Sequence, residues 1–421
     1  MNRMLTHLRR AVGLGLTLAA LLPRAAGAQV ASGGAPGEWL SNFTNAHALG
    51  LGGAFVATAD EPLGVLWNPA GLSSMDQNTL SFENAQLFED TSINSFGFAV
   101  PGNWLPTFAL NVIALRSGNF ERTNELNDPL GTFNEGETAY LFTASKALST
   151  RISAGANVKL VQQHVEDFSA QGVGFDLGGQ WSVTPTLRVG GSIMNIGGPR
   201  LKLRDAGAEE TFPTGFRGGF AYYLLGGRAI VQAELDQASG PGTLLHTGAE
   251  YWIQPGFALR LGYDQDHAAG GLTYRLASKY QLDYGVADHP LGLTHRVGLS
   301  YRFGGFFASS HADPQVFSPT GEHAVTKIQL NAKTKAEPKD WSLAIINKSD
   351  EVVRKFGGPG QPPAHLLWDG KDETGMPLPD GIYRYTLEVH DQQGRTVTGS
   401  THTVEISTGG PQGAVPLVPN P

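Results

Sequence analysis

Five carboxylates, Glu166, Asp167, Asp176, Glu234 and Asp236, stand in a chain that alternates polar and apolar residues over long stretches. Paired carboxylates are the usual groups for general acid–base work. Polar barrel interiors carry such groups as well, so their presence alone does not specify catalysis. DGKDETG, residues 369–375, has the outline of a calcium loop. An EF-hand needs acids or amides at positions 1, 3 and 5 and Gly at position 6. Lys371 and Thr374 occupy positions 3 and 6, so the stretch reads as a turn between strands. The 12 His are scattered, with no His-Glu-x-x-His, and His295 falls on an apolar strand face. The Gly-x-Gly pieces, such as GVGFDLGG, lie in strands with no helix after them and are not dinucleotide loops. No nucleophile elbow or phosphate-binding loop occurs after the first 28 residues. The expectation is a non-enzyme with no catalytic, cofactor-binding or metal site.

The bulk properties agree. A net charge of −8 argues against a nucleic-acid partner, which calls for a basic face. Only 16% of the residues are charged, and 55 are Gly without a collagen period, which points to strands, tight turns and crowded backbones. No Cys is present, so disulfides, thiolate chemistry and lipoprotein acylation are excluded. At the N-terminus a basic region closed by Arg9 and Arg10, the apolar run AVGLGLTLAALL and the small-x-small step Ala26-Gly27-Ala28 read as a signal peptide over residues 1–28. No later segment holds about 18 uninterrupted apolar residues, so no transmembrane helix is expected.

The elements that must position these groups are strands. From residue 78 to 303 there are fourteen runs of period-2 alternation separated by turn-formers. In the last, Leu293, His295, Val297, Leu299, Tyr301 and Phe303 share one face, while Thr294, Arg296, Gly298, Ser300 and Arg302 share the other. A soluble sandwich would also alternate, with its apolar face on a dry core. Three features favour a closed transmembrane barrel. The runs are long enough to cross a bilayer when tilted. Aromatic residues (Trp104, Trp181, Tyr222, Tyr223, Tyr251, Trp252) cluster near run ends, as an interfacial belt does. The last run closes on Tyr301 and Phe303, resembling the signal by which the barrel-assembly machinery recognises outer-membrane barrels. Longer polar connections are expected at 118–135 and 197–211, and short turns elsewhere.

Residues 304–319 read as a linker, and 320–408 as shorter strands at the spacing of a small Ig-like sandwich. The Pro-rich tail 409–421 reads as disordered. Residues 29–77 precede the barrel. Within them, GLGGAFVATADEPLGVLWNPAGL is too rich in Gly and Pro for a long helix and lacks strand alternation.

That segment resembles the N-terminal signature of the PorV/PorQ family within the FadL-like outer-membrane proteins. The residues that carry the likeness are Gly52, Gly53, Ala54, Asp60, Trp67, Asn68, Pro69, Ala70 and Gly71. The resemblance implies a hatch lying inside a fourteen-stranded barrel. The C-terminal region resembles a FlgD-like Ig domain through Trp368, Asp369, Gly370, Asp380, Gly381 and Tyr383, with Phe317-Ser318-Pro319 upstream. Two functions follow as expectations. The PorV/PorQ likeness implies a secretion-linked, type IX-like shuttle or adaptor for periplasmic or secreted protein partners. The FadL likeness implies passive transport of hydrophobic small molecules, with such a ligand in the lumen. Either places the barrel in outer-membrane lipid, and the even strand count puts the C-terminal region in the periplasm.

Overall fold

The computed structural model describes residues 36–408 except 38, 41–43, 89, 103–104, 205–208, 239–241, 255, 265–266, 277–278, 321–323 and 400. The expected signal peptide, the tail and Trp104 therefore lie outside the described residues. What is described belongs to one compact unit, Ala35–Pro421.

Fourteen antiparallel strands form a closed barrel, each paired with its neighbours in sequence order. The first strand, Asn78–Gln86, closes on the last, Gly292–Phe303, in a continuous ladder from Asn78↔Phe303 to Gln86↔His295. This is the all-β barrel that the alternation predicts. The parity of burial decides between membrane barrel and soluble sandwich. In the last strand the polar Thr294 and Arg296 are each 3% exposed, while Leu293 is 61% and Leu299 53% exposed. Phe82, Leu110, Phe142, Val158, Phe220 and Leu282 repeat the pattern on other strands. An apolar exterior around a polar interior requires lipid outside, since water would not support that exposure.

Several expectations need correction. Residues 118–135 are not a polar connection: Thr107–Thr123 and Pro129–Ala147 form one long hairpin. Phe120 and Phe133 pair across it with ring centroids 5.5 Å apart, which sustains the ladder beyond the polar sequence around them. Residues 197–211 include a two-strand ladder, Arg200–Leu201 with Glu210–Thr211, tied down by buried Leu201 and, just after it, Phe212. Of the belt aromatics, Trp181 and Tyr222 face outward, whereas Tyr223 lies beneath the Arg188 guanidinium and Trp252 beneath that of Arg275.

The stretch 304–319 is not a linker either. Gly304 and Gly305, both at positive φ, turn the chain out of the barrel. Phe307–Asp313 and Val316–Phe317 are then strands of the C-terminal region. One sheet holds Phe307–Asp313, Thr326–Lys333 and His365–Trp368. The other holds Val316–Phe317, His402–Ile406, Gly381–Asp391, Pro338–Ile346 and Val352–Pro359, with Thr396–Thr398 paired to Gly381–Asp391. Their inner faces share a core of Ile328, Leu343, Ile345, Trp368, Tyr385, Leu387 and Val389. Ser309 and His311 alternate with buried Ala308, Ser310 and Ala312, so a strand's period lay inside sequence that composition alone marked as loop.

Candidate functional site

The lumen is filled by the segment between Thr44 and Asp76. It is built from a five-residue helix, Ala46–Gly50, and two 3-10 turns, Pro62–Leu66 and Pro69–Ser74. Each turn starts on a proline, whose fixed φ and missing N–H suit a first turn. Asn45 caps the helix by accepting from Ala48 N at 2.8 Å, and Asn68 caps the second turn by accepting from Ala70 N at 3.0 Å. Asn68 also donates to Val56 O at 2.9 Å and to Gly179 O of the barrel wall at 3.0 Å. One side chain thus fixes two hatch segments and one strand.

Gly52 and Gly53 have φ of 62° and 85°, a region that favours glycine. Their carbonyls accept from the wall and from the hatch: the Gly52 oxygen lies 2.8 Å from His246 Nδ1, and the Gly53 oxygen accepts the Trp67 indole N–H at 2.9 Å. Trp67 is 3% exposed, edge-on to Phe55 and beneath the Arg217 guanidinium. Ala54, Pro69, Ala70 and Gly71 are buried. Asp60 is solvent-exposed, and its neighbour Glu61 accepts from Asn45 and lies 3.4 Å from His47. The wall is glycine where the hatch comes closest: a Cβ at Gly178 would meet the Asn68 side chain and Pro69, and one at Gly262 would meet the backbone of Leu51 and Gly52. Gly155, Gly190, Gly248 and Gly285 stand against the hatch in the same way.

The wall's polar groups hold hatch backbone. Glu234 Oε2 accepts from Phe55 N and Val56 N, each at 2.7 Å, and Arg217 stands 3.7 Å from its other oxygen. Ser192 donates to Trp67 O at 2.7 Å, Asn157 to Val65 O at 3.0 Å, Ser145 to Ala70 O at 2.8 Å and Arg296 to Thr44 O at 3.1 Å. Glu83 accepts from Ala46 N at 2.8 Å, and His47 Nε2 lies 3.0 Å from Glu250. Such bonds are needed because irregular backbone in a lumen has no strand to pair with.

The five candidate carboxylates are not brought together as an acid–base pair. Asp176 lies 2.8 Å from Lys159, Asp236 2.9 Å from Arg217 and Glu166 2.6 Å from Arg122, Glu234 holds hatch amides, and Asp167 is exposed. No cluster of metal-ligating side chains occurs among the described residues. DGKDETG is a turn closed by Asp372, whose Oδ1 accepts from Thr374 N at 2.8 Å and Met376 N at 2.9 Å.

The lumen has two unlike walls. Ile93, Ile113, Leu141 and Val161 form an apolar strip on one side, each at most 1% exposed. Trp39 and Leu40 pack in the same cluster, and Trp39 donates its indole N–H to Glu137 at 2.6 Å. The opposite wall carries Arg217, Glu234, His246, Glu250, Arg260 and Asp283. There Arg260 lies 2.7 Å from Glu250 and 3.3 Å from Asp283.

With this geometry in view, one solved structure decides the fold. The toluene transporter TodX of Pseudomonas putida is similar over 62% of this chain and 98% of its own, at 13% identity and a TM-score of 0.50. The barrel has a FadL-like fold. A Pseudomonas aeruginosa FadL homologue also matches, over 62% of this chain and 99% of its own, at 13% identity and a TM-score of 0.47. No family model matches the chain, and neither does any curated protein. More than a third of the chain has no counterpart in TodX.

The remaining sequence-derived residues serve packing and turn geometry. Tyr301 stacks between Tyr280 and Phe303, with ring centroids 5.2 and 5.4 Å away. Trp368 is fully buried, edge-on to Phe317 and Tyr383, and donates to Lys371 O at 3.1 Å. Asp369 accepts from Lys371 N, and Asp380 accepts from Thr408 N and its hydroxyl, each at 2.9 Å. Gly370 has φ 72° beneath Pro319, Gly381 has φ 156°, and Tyr383 donates to Pro379 O at 2.7 Å. Sequence reasoning missed Trp39 and, above all, Lys335, which reaches from the sandwich to the end of the hatch, and it named Glu234 without its role as the acceptor of hatch amides. The alternation marked Glu234 as lumen-facing, but nothing in it shows which lumen group meets the hatch.

Proposed function

We propose that this chain is a non-enzymatic outer-membrane channel protein that passes a hydrophobic small molecule, with the hatch as its gate. The observation that carries this reading is the apolar strip of Ile93, Ile113, Leu141 and Val161 inside an otherwise polar lumen, packed in one cluster with Trp39, Leu40 and the hatch residues Leu63 and Leu66, so that movement of the hatch would bare it. A lumen serving only polar solutes gains nothing from such a strip, whereas an apolar solute needs a continuous apolar contact to leave water. The FadL-like fold supports it, as does the hydrocarbon named for TodX. The test is uptake into proteoliposomes. Toluene entry should exceed that into empty vesicles and should fall on Ile113→Glu plus Leu141→Glu, while a sugar of similar size should not enter. Equal toluene entry with and without the protein would end this reading.

A second reading rests on the C-terminal sandwich, for which a simple channel has no need. In it, the chain is a secretion-linked adaptor of the PorV/PorQ type, with a FlgD-like Ig domain on the periplasmic side that holds protein partners. Strand parity supports the sidedness, since a barrel of even strand number returns its end to the side on which it began. Accessibility of sandwich lysines to an impermeant label in intact cells tests the side. Capture of an exported protein by the full chain, lost with the sandwich surface blocked, tests the role.

A further inference from the structure

Three arginines face the lumen at the end where the barrel's first strand begins and its last strand stops. Arg188 is the second residue of Leu187–Ile196, and Arg275 and Arg302 are the last but one of His267–Leu276 and Gly292–Phe303. Arg188 shares a strand face with Ser192, Arg275 with Thr273 and Arg302 with Arg296, all three buried in the lumen. Arg275 Nε and Arg302 Nη2 both donate to Gln281 Oε1, each at 2.7 Å, so two guanidiniums converge on one neutral oxygen. Gln281 in turn donates to Asp283 at 2.7 Å, but Asp283 and Glu250 are already held by Arg260, at 3.3 and 2.7 Å. Arg188, Arg275 and Arg302 are half-buried, and among the described residues none of them forms an ion pair. Converging guanidiniums with free forks and no counter-charge are a ready site for an oxyanion.

The hatch shows what kind of charge belongs there. Asp60 is solvent-exposed and within electrostatic reach of Arg188, Arg275 and Arg302, yet among the described residues it pairs with none of them. Its carboxylate balances the arginines through their field and leaves their hydrogen-bonding groups open. Apolar side chains stand at the same end. Tyr223 lies 5.6 Å beneath Arg188, Trp252 4.2 Å beneath Arg275, and Ile230 is opposite Tyr223 in the ladder. All three are half-buried. Cations flanked by apolar walls suit a carboxylate carried on an apolar body better than a bare ion.

We propose that this end of the lumen binds a small organic carboxylate, its oxygens bridging Arg275 and Arg302 and its apolar body against Tyr223, Ile230 and Trp252. Asp60 fills the arginine field while the hatch is closed, and the ligand's carboxylate takes over that field when the hatch moves. The proposal deepens the channel reading by giving the solute one charged end. It rests on that reading for the direction from which the ligand arrives, not for the site itself.

The experiment is calorimetric titration of the full chain, in an uncharged detergent, with benzoate. One benzoate per chain is expected, and benzamide, of the same shape without the charge, should not bind. Arg275→Gln and Arg302→Gln should each weaken benzoate by about tenfold or more, the scale of one charge-assisted contact. Arg228→Gln, at a turn of the same rim, should leave it unchanged. Asp60→Asn tests the site without touching the wall: it removes the competing carboxylate and should tighten benzoate severalfold. Benzamide binding as well as benzoate, inorganic phosphate binding as tightly as benzoate, or an Asp60→Asn chain no tighter than the parent would each overturn the proposal. Benzoate bound by a chain that carries no toluene would remove the channel reading and leave this site standing. Toluene carried by a chain that binds no benzoate would remove the site alone.

Discussion

Lys335 of the sandwich lies 3.3 Å from the Asp76 carboxylate and donates to the Ser73 carbonyl at 3.0 Å, closing the end of the hatch from outside the barrel. It also donates to Met75 O, and Phe306 N donates to Asp76 O at 2.6 Å. The Lys335 side chain is only 4% exposed. The last 3-10 turn of the hatch thus has its free carbonyls capped by a residue more than 250 positions later. Lys335→Met should strand those carbonyls at about 1–3 kcal/mol for each. The expected outcome is faster hydrogen exchange across residues 70–76, with the barrel strands unchanged. Unaltered exchange there would show that the contact does not hold the hatch.

The same pair gives a pH dependence with a definite sign. Burial holds Lys335 below its ordinary value of 10.5, with Asp76 opposing that shift. Between the lowered and the ordinary value the folded chain binds fewer protons at Lys335 than the unfolded one, so stability rises with pH across that window. Burial also pushes Asp76 up, with Lys335 opposing. The folded chain therefore binds more protons at Asp76 than the unfolded one between the ordinary and raised values, and stability falls as pH rises through them. Lys335→Met should remove the alkaline increment, seen as the difference between the two proteins' unfolding midpoints on the basic side.

Gly178 and Gly262 test whether the glycine lining exists for the hatch. Gly178→Val would drive a side chain into Asn68 and Pro69, and Gly262→Val into the backbone of Leu51 and Gly52. Neither φ lies in the left-handed region, so any strain comes from the hatch and not from the strand. Both variants should still form a closed, heat-modifiable barrel but conduct ions in planar bilayers where the parent is closed. Parent-level conductance in both would mean that the hatch accommodates the added volume.

The barrel was legible because lipid outside and polar groups inside impose one rule on every strand, and residues 293–303 obey it except at His295, which faces outward beside the Tyr284 hydroxyl. The hatch was legible as a segment, since Gly52, Asn68 and Pro69 make sense only where backbones crowd. Its contacts were not legible. Glu234 reads like any lumen carboxylate until the amides of Phe55 and Val56 are placed beside it. Residues 304–319 misled because Gly, Ser and Pro suggest a linker, while the alternation of Phe307–Asp313 is carried by Ala and Ser too small to stand out. Lys335 had no signal at all, because its partners are backbone carbonyls and an aspartate separated from it by the whole barrel.

Trp368 is the keystone of the sandwich. It is fully buried between Phe317 and Tyr383. Trp368→Ala should cost about 3–5 kcal/mol, a large share of what a domain of this size holds in reserve. The sandwich should lose its cooperative unfolding transition, while the barrel, whose closure rests on its own ladder, should keep its mobility shift on heating. Coincident loss of both would show that the barrel depends on the sandwich to stay closed.

Ending the chain at Phe303 separates what closes the barrel from what holds the hatch. The ladder Asn78↔Phe303 to Gln86↔His295 lies wholly within the shortened chain, and Tyr301 and Phe303 remain as its terminal aromatics. Insertion and strand closure should therefore survive. The hatch would keep its lumen contacts, including Glu234 with Phe55 and Val56 and Asn68 with Gly179. It would lose Lys335 at Ser73 and Met75 and Phe306 at Asp76, all of them at its exit. Loosening should then start at residues 70–76 and reach the Trp67 region less, because Ser192 and Gly53 still hold that tryptophan's carbonyl and indole. Hydrogen exchange resolved along the hatch checks this gradient. In bilayers the shortened chain should show brief openings of small conductance rather than a permanently open pore. A steady large pore would mean that the sandwich alone keeps the hatch in place, and no openings at all would mean that the lumen contacts suffice without it.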